Sequence, residues 1–237
     1  FKARSYDLMR SQAGQALLDV GCGAGMDTLP LSKLVPDARV VGVDLDRAML
    51  TRANARSAEA GGAKVLHLQA DAVRLPFAQH SFDAVRSERL FQHLPQPELA
   101  LAEMVRVTRP GGRVVVLDAD HGTISIDSPE LDIERRLARF KADHMGHNGY
   151  AGRQLLRLLR RAGLAEVSIE ILGGYVDSYP LARQMLQLDT VEERALAAGV
   201  VSEDELRRWR ASLEAAAEGG CFFYHESMVL AAGTRSR

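Results

Sequence analysis

The sequence is poor in the residues that mark several large classes of protein. Its 237 residues include two cysteines, Cys22 and Cys221, which are far apart and have no C-x-x-C partner, so we expect neither a disulfide framework nor a zinc site. The formal net charge is −1 and no basic run occurs, which argues against nucleic acid as a substrate. No signal peptide and no apolar run of about 18 residues occurs, so we expect no membrane span and a cytoplasmic location.

The residues that are present suit a folded domain with a substantial core. Apolar residues make up 46% of the chain and charged residues 26%, which is typical of an α/β protein. We find no internal repeat and no low-complexity linker. The sequence therefore predicts one domain over residues 1–237.

Glycine is concentrated directly after the first predicted strand. Residues 17–20 are Leu-Leu-Asp-Val, and Gly21, Gly23 and Gly25 follow at alternate positions. Glycines at such a turn let main-chain N–H groups approach a ligand closely, and the helix predicted over residues 27–35 directs its positive N-terminus at that ligand. This stretch predicts a bound nucleoside-type cofactor.

The spacing of this turn indicates which cofactor it binds. A dinucleotide site has a third glycine in G-x-G-x-x-G, where this chain has Met26. The pattern here is Asp-x-Gly-x-Gly-x-Gly, beginning at Asp19, and it resembles the first motif of class I S-adenosylmethionine (SAM) dependent methyltransferases. The resemblance implies a Rossmann-like sheet of seven mostly parallel strands with an antiparallel last strand beside the fifth. It also implies that Asp19 and the three glycines bind SAM.

The second predicted strand, residues 39–44, ends in the acid Asp44. A carboxylate at this position can accept hydrogen bonds from both ribose hydroxyls, and Leu45 lies beside it as a further cofactor contact. The alternative is that Asp44 or Asp46 only caps the next helix, residues 47–60. Both interpretations can hold, with Asp46 as the cap and Asp44 as the ribose ligand.

The third and fourth predicted strands lead to further cofactor contacts. Gly61 and Gly62 end the preceding helix, and residues 64–69 form the third strand. The resemblance assigns Asp71 to the adenine amino group and the Ala72 backbone to a ring nitrogen, with an exposed loop acid as the alternative for Asp71.

The methionine end of the cofactor is expected beside the fourth strand. Ser87 lies at the end of that strand, residues 81–87, where ligands sit in open α/β sheets. Arg4 is a candidate for the SAM carboxylate, with a solvent-exposed arginine as the alternative.

The candidate general base is His121. The fifth strand is predicted over residues 114–118 after a turn at residues 109–112, so His121 follows the strand end on the cofactor edge. Imidazole titrates near neutral pH, which suits a base. The alternative is that His121 only lines the pocket. Asp118 and Asp120 could suggest a metal, but no further cluster of metal ligands appears in the sequence, so we expect no metal site.

Two insertions, residues 121–150 and 175–219, are expected to form a helical cap. His144 follows an apolar stripe (Ile133, Leu137 and Phe140) that is predicted to face inward, either as a substrate contact or as a core histidine. His147 and Tyr175 are further substrate candidates on loops. A helix over residues 181–198 and a second over 203–217 follow, the latter with a Ser202–Glu205 capping box.

The expected reaction is methyl transfer from SAM to an oxygen, nitrogen or carbon of a small organic acceptor. By resemblance the chain is closest to the small-molecule methyltransferases of secondary and quinone metabolism, and a homodimer is a further expectation. A SAM-binding enzyme that does not methylate, such as a cyclase, is the alternative, because a fold does not fix a function. A non-catalytic partner subunit and an NAD-dependent oxidoreductase are more distant alternatives.

Overall fold

The computed structural model describes residues 2–60 and 65–236. Gly61, Gly62 and Lys64, at a predicted helix end and strand start, lie outside the described residues. The chain divides into two compact units. The first comprises Phe1–Asp118, Gln154–Glu170 and Val229–Arg237, and the second comprises Ala119–Arg153 and Ile171–Met228. The single domain with a cap stays a prediction.

The first part of the chain alternates strands and helices, as expected for an α/β protein. Its elements are α1 (Lys2–Met9), β1 (Ala16–Val20), α2 (Thr28–Leu34), β2 (Arg39–Asp44), α3 (Arg47–Glu59), β3 (Val65–Gln69), β4 (Phe82–Glu88), a 3₁₀ turn (Phe91–His93) and α4 (Pro97–Val107). The elements after it are β5 (Thr108–Ile126), α5 (Leu131–His144), α6 (Ala151–Arg161), β6 (Leu164–Leu172), β7 (Tyr175–Val176), α7 (Tyr179–Leu186), α8 (Leu188–Ala197), α9 (Glu203–Glu218) and β8 (Tyr224–Arg235).

The strands form one mostly parallel, mixed sheet in the order β3-β2-β1-β4-β5-β8-β6. β1 pairs in parallel with β2 and β4, so the strand order reverses there. This confirms the predicted Rossmann-like fold, including the position of the last strand beside the fifth. The short β7, which pairs antiparallel with β8, was not expected from the sequence.

The position of β1 at the centre of the sheet explains why this strand is so apolar. All five residues of β1 are buried, and Leu17, Leu18 and Val20 are fully inaccessible. A strand covered on both faces has a continuous apolar run instead of an alternating one. Asp19, the one acidic residue of β1, is therefore buried as well.

The fifth strand differs from its prediction at both ends. Residues 109–112 do not form a separate turn. They cause an irregularity within β5, whose register against β4 shifts between the pairs Phe82↔Thr108 and Ala84↔Arg113. The strand also continues past Asp118 to Ile126, so His121 lies inside β5. One cause is a contact with β8, in which the Ser227 N–H donates to the Thr123 hydroxyl over 2.9 Å.

The helix predicted over residues 181–198 is two helices in the second unit. Gln187 adopts φ +53°, which ends α7 and begins α8. The predicted capping box at the start of α9 is confirmed, since Ser202 and Glu205 bond each other's backbone N–H groups. Trp209 and Leu213 of α9 are buried in an apolar cluster with α5, α7 and α8.

Candidate cofactor site and candidate base

A cavity of about 490 Å³ lies at the carboxyl ends of β1 to β4 in the first unit. Of the predicted cofactor residues, Gly21, Asp44, Leu45, Asp71 and Ala72 line it. Its other lining residues are Val20, Val43, Asp46, Ala70, Arg89, Leu90, His93 and Leu94. Ligands bind at this edge in open α/β sheets, at the point where the strand order reverses.

The glycine turn is fixed by the end of β2. Gly21, Gly23 and Gly25 have φ values of +74°, +52° and +70°. The N–H groups of Gly21 and Cys22 both donate to the Val43 carbonyl, over 2.8 and 2.9 Å. A Cβ added at Gly21 would lie 3.0 Å from the Leu90 side chain, so the turn and this cavity residue are in close contact.

Asp44 is held by the backbone on both carboxylate oxygens. The Gly23 N–H donates to Oδ2 over 2.8 Å, and the Asp46 N–H donates to Oδ1 over 2.9 Å. Each oxygen keeps a further lone pair for a ligand hydroxyl. Asp46 accepts instead from the N–H groups of Ala48 and Met49 and caps α3, so its predicted cap role is confirmed. The ribose role of Asp44 stays a prediction.

A buried histidine lies beside the glycine turn and links two helices. His67 of β3 lies 2.9 Å from the Thr28 hydroxyl and 3.1 Å from the Asn54 side-chain oxygen, so it joins α2 to α3. Burial lowers its pKa. Beside it, a Cβ on Gly42 would lie 2.8 Å from the Cys22 sulfur. Sequence reasoning missed this support, because a lone histidine in a strand indicates no partner.

A buried charge cluster connects β1, β4 and α1. Arg86, which is fully inaccessible, lies 3.1 Å from Asp19, 3.3 Å from Asp27 and 2.7 Å from Glu88. Lys2 pairs with Asp27 over 2.8 Å and with Glu88 over 3.1 Å. We name these five residues the acid cluster, because three carboxylates face two cations.

The acid cluster has one more negative charge than positive when all its groups are ionised. Burial raises the pKa of Asp19 to about 7, and Asp27 and Glu88 add to this effect while Arg86 opposes it. Nearby, the Arg86 Nε and the Ser87 hydroxyl are buried without a hydrogen-bond partner in residues 2–60 and 65–236. The cluster is therefore suited to a cationic ligand that also carries hydrogen-bonding groups. Sequence reasoning placed Asp19 and Ser87 here and missed Arg86.

The remaining cofactor candidates have separate environments. Arg4 is exposed and pairs with Glu170, with nitrogen–oxygen distances of 2.5–3.1 Å, and it does not line the cavity. Asp71 is exposed and accepts from the Val73 N–H over 3.1 Å. The cofactor roles of these residues stay predictions.

The candidate base His121 has a carboxylate partner in the second unit. Its Nδ1 is hydrogen-bonded to Glu226, and the Tyr224 hydroxyl donates to the other Glu226 oxygen over 3.0 Å. The backbone N–H of His121 donates to the Gly149 carbonyl over 2.8 Å. Sequence reasoning missed Glu226, which lies 105 residues away along the chain.

The substrate candidates lie at the surface of the second unit. Ile133, Leu137 and Phe140 face inward as predicted, but His144 is exposed. The inward orientation of His144 is wrong because α5 ends at this residue, and its ring stacks on Phe140 at 4.7 Å. His147 is exposed, and Tyr175 is 67% exposed and stacks on Phe223 at 6.0 Å. Their substrate roles stay predictions.

The described residues contain neither a metal-binding cluster nor a membrane-spanning helix. In residues 2–60 and 65–236, no group of three or more histidine, cysteine or acidic side chains is arranged to hold a metal ion. No helix within these ranges is long and apolar enough to span a membrane.

The sheet order and the cavity at its switch point define a Rossmann-like nucleotide-binding fold. Residues 18–116 match the family Methyltransf_11, described as a methyltransferase domain. This match confirms the resemblance to class I SAM-dependent methyltransferases for the segment that carries the cavity.

Similar proteins extend the comparison to most of the chain. An uncharacterized 37.1 kDa protein in transposon TN4556 of Streptomyces fradiae is 36% identical over 213 residues, which are 87% of this chain and 61% of that protein. The demethylmenaquinone methyltransferase of Thermus thermophilus is 42% identical over 118 residues, which are 50% of this chain and 53% of that protein. This chain thus spans less than two thirds of either relative.

A solved structure supports the fold over the full length. The YcgJ protein from Bacillus subtilis has a TM-score of 0.69 and 20% identity to this chain, and the match covers 100% of this chain and 98% of that one.

Proposed function

We propose that this protein transfers a methyl group from SAM to an oxygen, nitrogen or carbon of a small organic acceptor. The observation that carries the proposal is Asp44, a carboxylate held on both oxygens by backbone N–H groups at the cavity edge of a methyltransferase domain. The demethylmenaquinone methyltransferase among the relatives supports a small acceptor.

The cavity residues, together with the neighbouring ends of β1 and β4, supply groups for each part of SAM. Asp44 would hold the ribose, and Asp71, Ala72 and Leu45 would hold the adenine. SAM carries a positive sulfonium and an ammonium group, and the excess carboxylate of the acid cluster favours such charges. Ser87, with its unpartnered hydroxyl, would bond the methionine end. Gly21, Gly23 and Gly25 keep the turn free of side chains.

The protein itself has to orient the acceptor and to accept a proton. SAM supplies an activated methyl group, so orientation of the reacting atoms makes a large contribution to the rate. An acceptor hydroxyl or amine must lose a proton during transfer. His121 is the proposed base, with Nε2 as the accepting atom.

The test is transfer of a labelled methyl group from SAM to the small-molecule fraction of a bacterial extract. We expect label in a small molecule, and binding of SAM by calorimetry. Asp44→Ala should weaken SAM binding by about 100-fold, the order of two charge-assisted hydrogen bonds. Asp46→Ala is the control at the same cavity edge: its carboxylate accepts the cap hydrogen bonds of α3, so SAM affinity should fall much less than in Asp44→Ala.

Each outcome of this test has a meaning. Full SAM affinity in Asp44→Ala would refute the ribose assignment. Binding of SAM without transfer to any fraction would replace methyl transfer by the cyclase or partner-subunit alternative. Label in protein or nucleic acid would contradict the small-molecule acceptor.

The proposal also covers the location of the protein, the class of its acceptor, the cap and the oligomeric state. We place the reaction in the cytoplasm, which suits two free cysteines, and among the acceptors of secondary or quinone metabolism. Residues 121–150 and 175–219 are proposed to cap a single domain, with His144, His147 and Tyr175 as substrate contacts. A homodimer is proposed by resemblance, and light scattering at several concentrations tests it.

A further inference from the structure

The side chains around His121 form a connected chain of hydrogen bonds within the second unit. Glu226 accepts from His121 on one carboxylate oxygen and from the Tyr224 hydroxyl on the other. The side chains of His121 and Glu226 are only 16% and 14% exposed, so water competes weakly for these bonds. The backbone of His121 is also fixed, because its N–H donates to the Gly149 carbonyl over 2.8 Å.

We infer that Glu226 is a positioning residue that holds His121 in the one tautomer able to accept a proton at Nε2. The inference rests on the proposed function, in which His121 is the base. An ionised carboxylate has only acceptor atoms, so its partner Nδ1 must carry the proton. In a neutral imidazole the lone pair is then on Nε2.

The surroundings of Glu226 favour its ionised form. Burial alone would raise its pKa, but the hydrogen bond from His121, the Tyr224 hydroxyl and the charge of Lys141 lower the pKa below the ordinary value. These groups come from β5, β8 and α5. The carboxylate therefore also stabilises the imidazolium that forms when His121 accepts a proton.

Deprotonation of the acceptor by His121 accompanies methyl transfer. The acceptor O–H or N–H bond breaks and its proton moves to Nε2, while the oxygen or nitrogen electron pair forms the new bond to the methyl carbon. The electrons of the sulfur–methyl bond remain on sulfur, which gives S-adenosylhomocysteine. His121 later returns the proton to water. Glu226 accepts hydrogen bonds throughout and is not protonated.

The test compares Glu226→Gln with Glu226→Asp in the full chain. ¹⁵N spectra of labelled histidine without substrate report the tautomer of His121, identified by its loss in His121→Ala. We expect the Nδ1–H form in the wild type and a mixture in Glu226→Gln, whose amide can also donate. The expected fall in kcat is about 100-fold or more for Glu226→Gln, with KM for the acceptor within about threefold. Glu226→Asp should recover part of kcat.

Glu192→Gln is the matched control for loss of a buried carboxylate in the same unit. Glu192 is fully inaccessible and bonds Trp209 and Arg210, not His121. The Glu192→Gln variant should leave the His121 tautomer and kcat unchanged.

The two proposals fail in different ways. An Nε2–H tautomer in the wild type, or equal kcat for wild type and Glu226→Gln, overturns the role of Glu226. Absence of methyl transfer in the wild type overturns the proposed function, while the spectra still decide the tautomer. If Glu226→Gln does not fold, the wild-type spectrum and Glu226→Asp carry the same decision.

Discussion

The two buried polar clusters of this protein differ in their charge balance. The acid cluster of the first unit places three carboxylates around Arg86 and Lys2 and leaves negative charge in excess. The His121 cluster of the second unit has one carboxylate, one imidazole and one phenol. The first arrangement favours a cation from outside the protein, whereas the second fixes the position of a single proton. The charge balance of a buried cluster thus indicates what it is suited to hold.

The largest loss of stability is expected for Arg86→Met in the acid cluster. It leaves three buried carboxylates with only Lys2, which is half exposed, as a nearby cation. Removing one partner of a buried ion pair costs about 3–5 kcal/mol of unfolding free energy. Urea unfolding measures the change, with Arg86→Lys as the control that keeps the charge. A variant as stable as the wild type would show that Arg86 does not hold the acid cluster together.

Asp19→Asn is expected to change how the stability of the protein depends on pH. The carboxyl ionises near its ordinary value of 3.8 when unfolded and near about 7 in the native protein, so the native state binds more protons between these values. Asp19 therefore lowers the unfolding free energy as pH rises from about 4 to about 7, and Asp19→Asn lacks this slope.

Ligand binding gives the second readout for Asp19. SAM affinity of the wild type should rise as pH rises through about 7, because the ionised carboxylate attracts a cation, and Asp19→Asn should lose this rise. Denaturant titrations and calorimetry at four pH values check both statements. Parallel pH curves for the two proteins would contradict the assignment of the charge excess to Asp19.

The smallest effect is expected for Tyr224→Phe. It removes one of the two side-chain donors to Glu226 and leaves the other, so the unfolding free energy should fall by about 1 kcal/mol. The fall in kcat should be smaller than that of Glu226→Gln, because His121 keeps its partner. A larger fall in kcat than in Glu226→Gln would mean that the phenol, not the carboxylate, controls the base.

The sequence predicts local features well where a residue acts through its own neighbours. The buried strands are continuous apolar runs, the glycine turn follows directly from Asp19 to Gly25, and Asp46 caps the helix that begins at the next residue. These features depend on backbone geometry over a few positions. They were sufficient to predict the sheet and the cavity at its edge.

The missed features depend on residues that are distant in sequence. Arg86 reads as one polar residue in an apolar strand, and nothing near it indicates that Asp19 and Asp27 converge on it. Likewise, no residue near His121 in the sequence indicates that Glu226 is its partner. The wrong orientation of His144 has another cause, since periodicity places a residue on a helix face but does not tell where that helix leaves the core.

The bond between Gly23 and Asp44 makes occupancy of the cavity measurable without any substrate. The same carboxylate that we assign to the ligand also accepts the Gly23 N–H. A ligand that draws electron density from Asp44 must change the chemical shift of that amide and its exchange with solvent. Gly23 is thus an intrinsic spectroscopic probe, and a collection of small molecules could be screened by following one amide resonance.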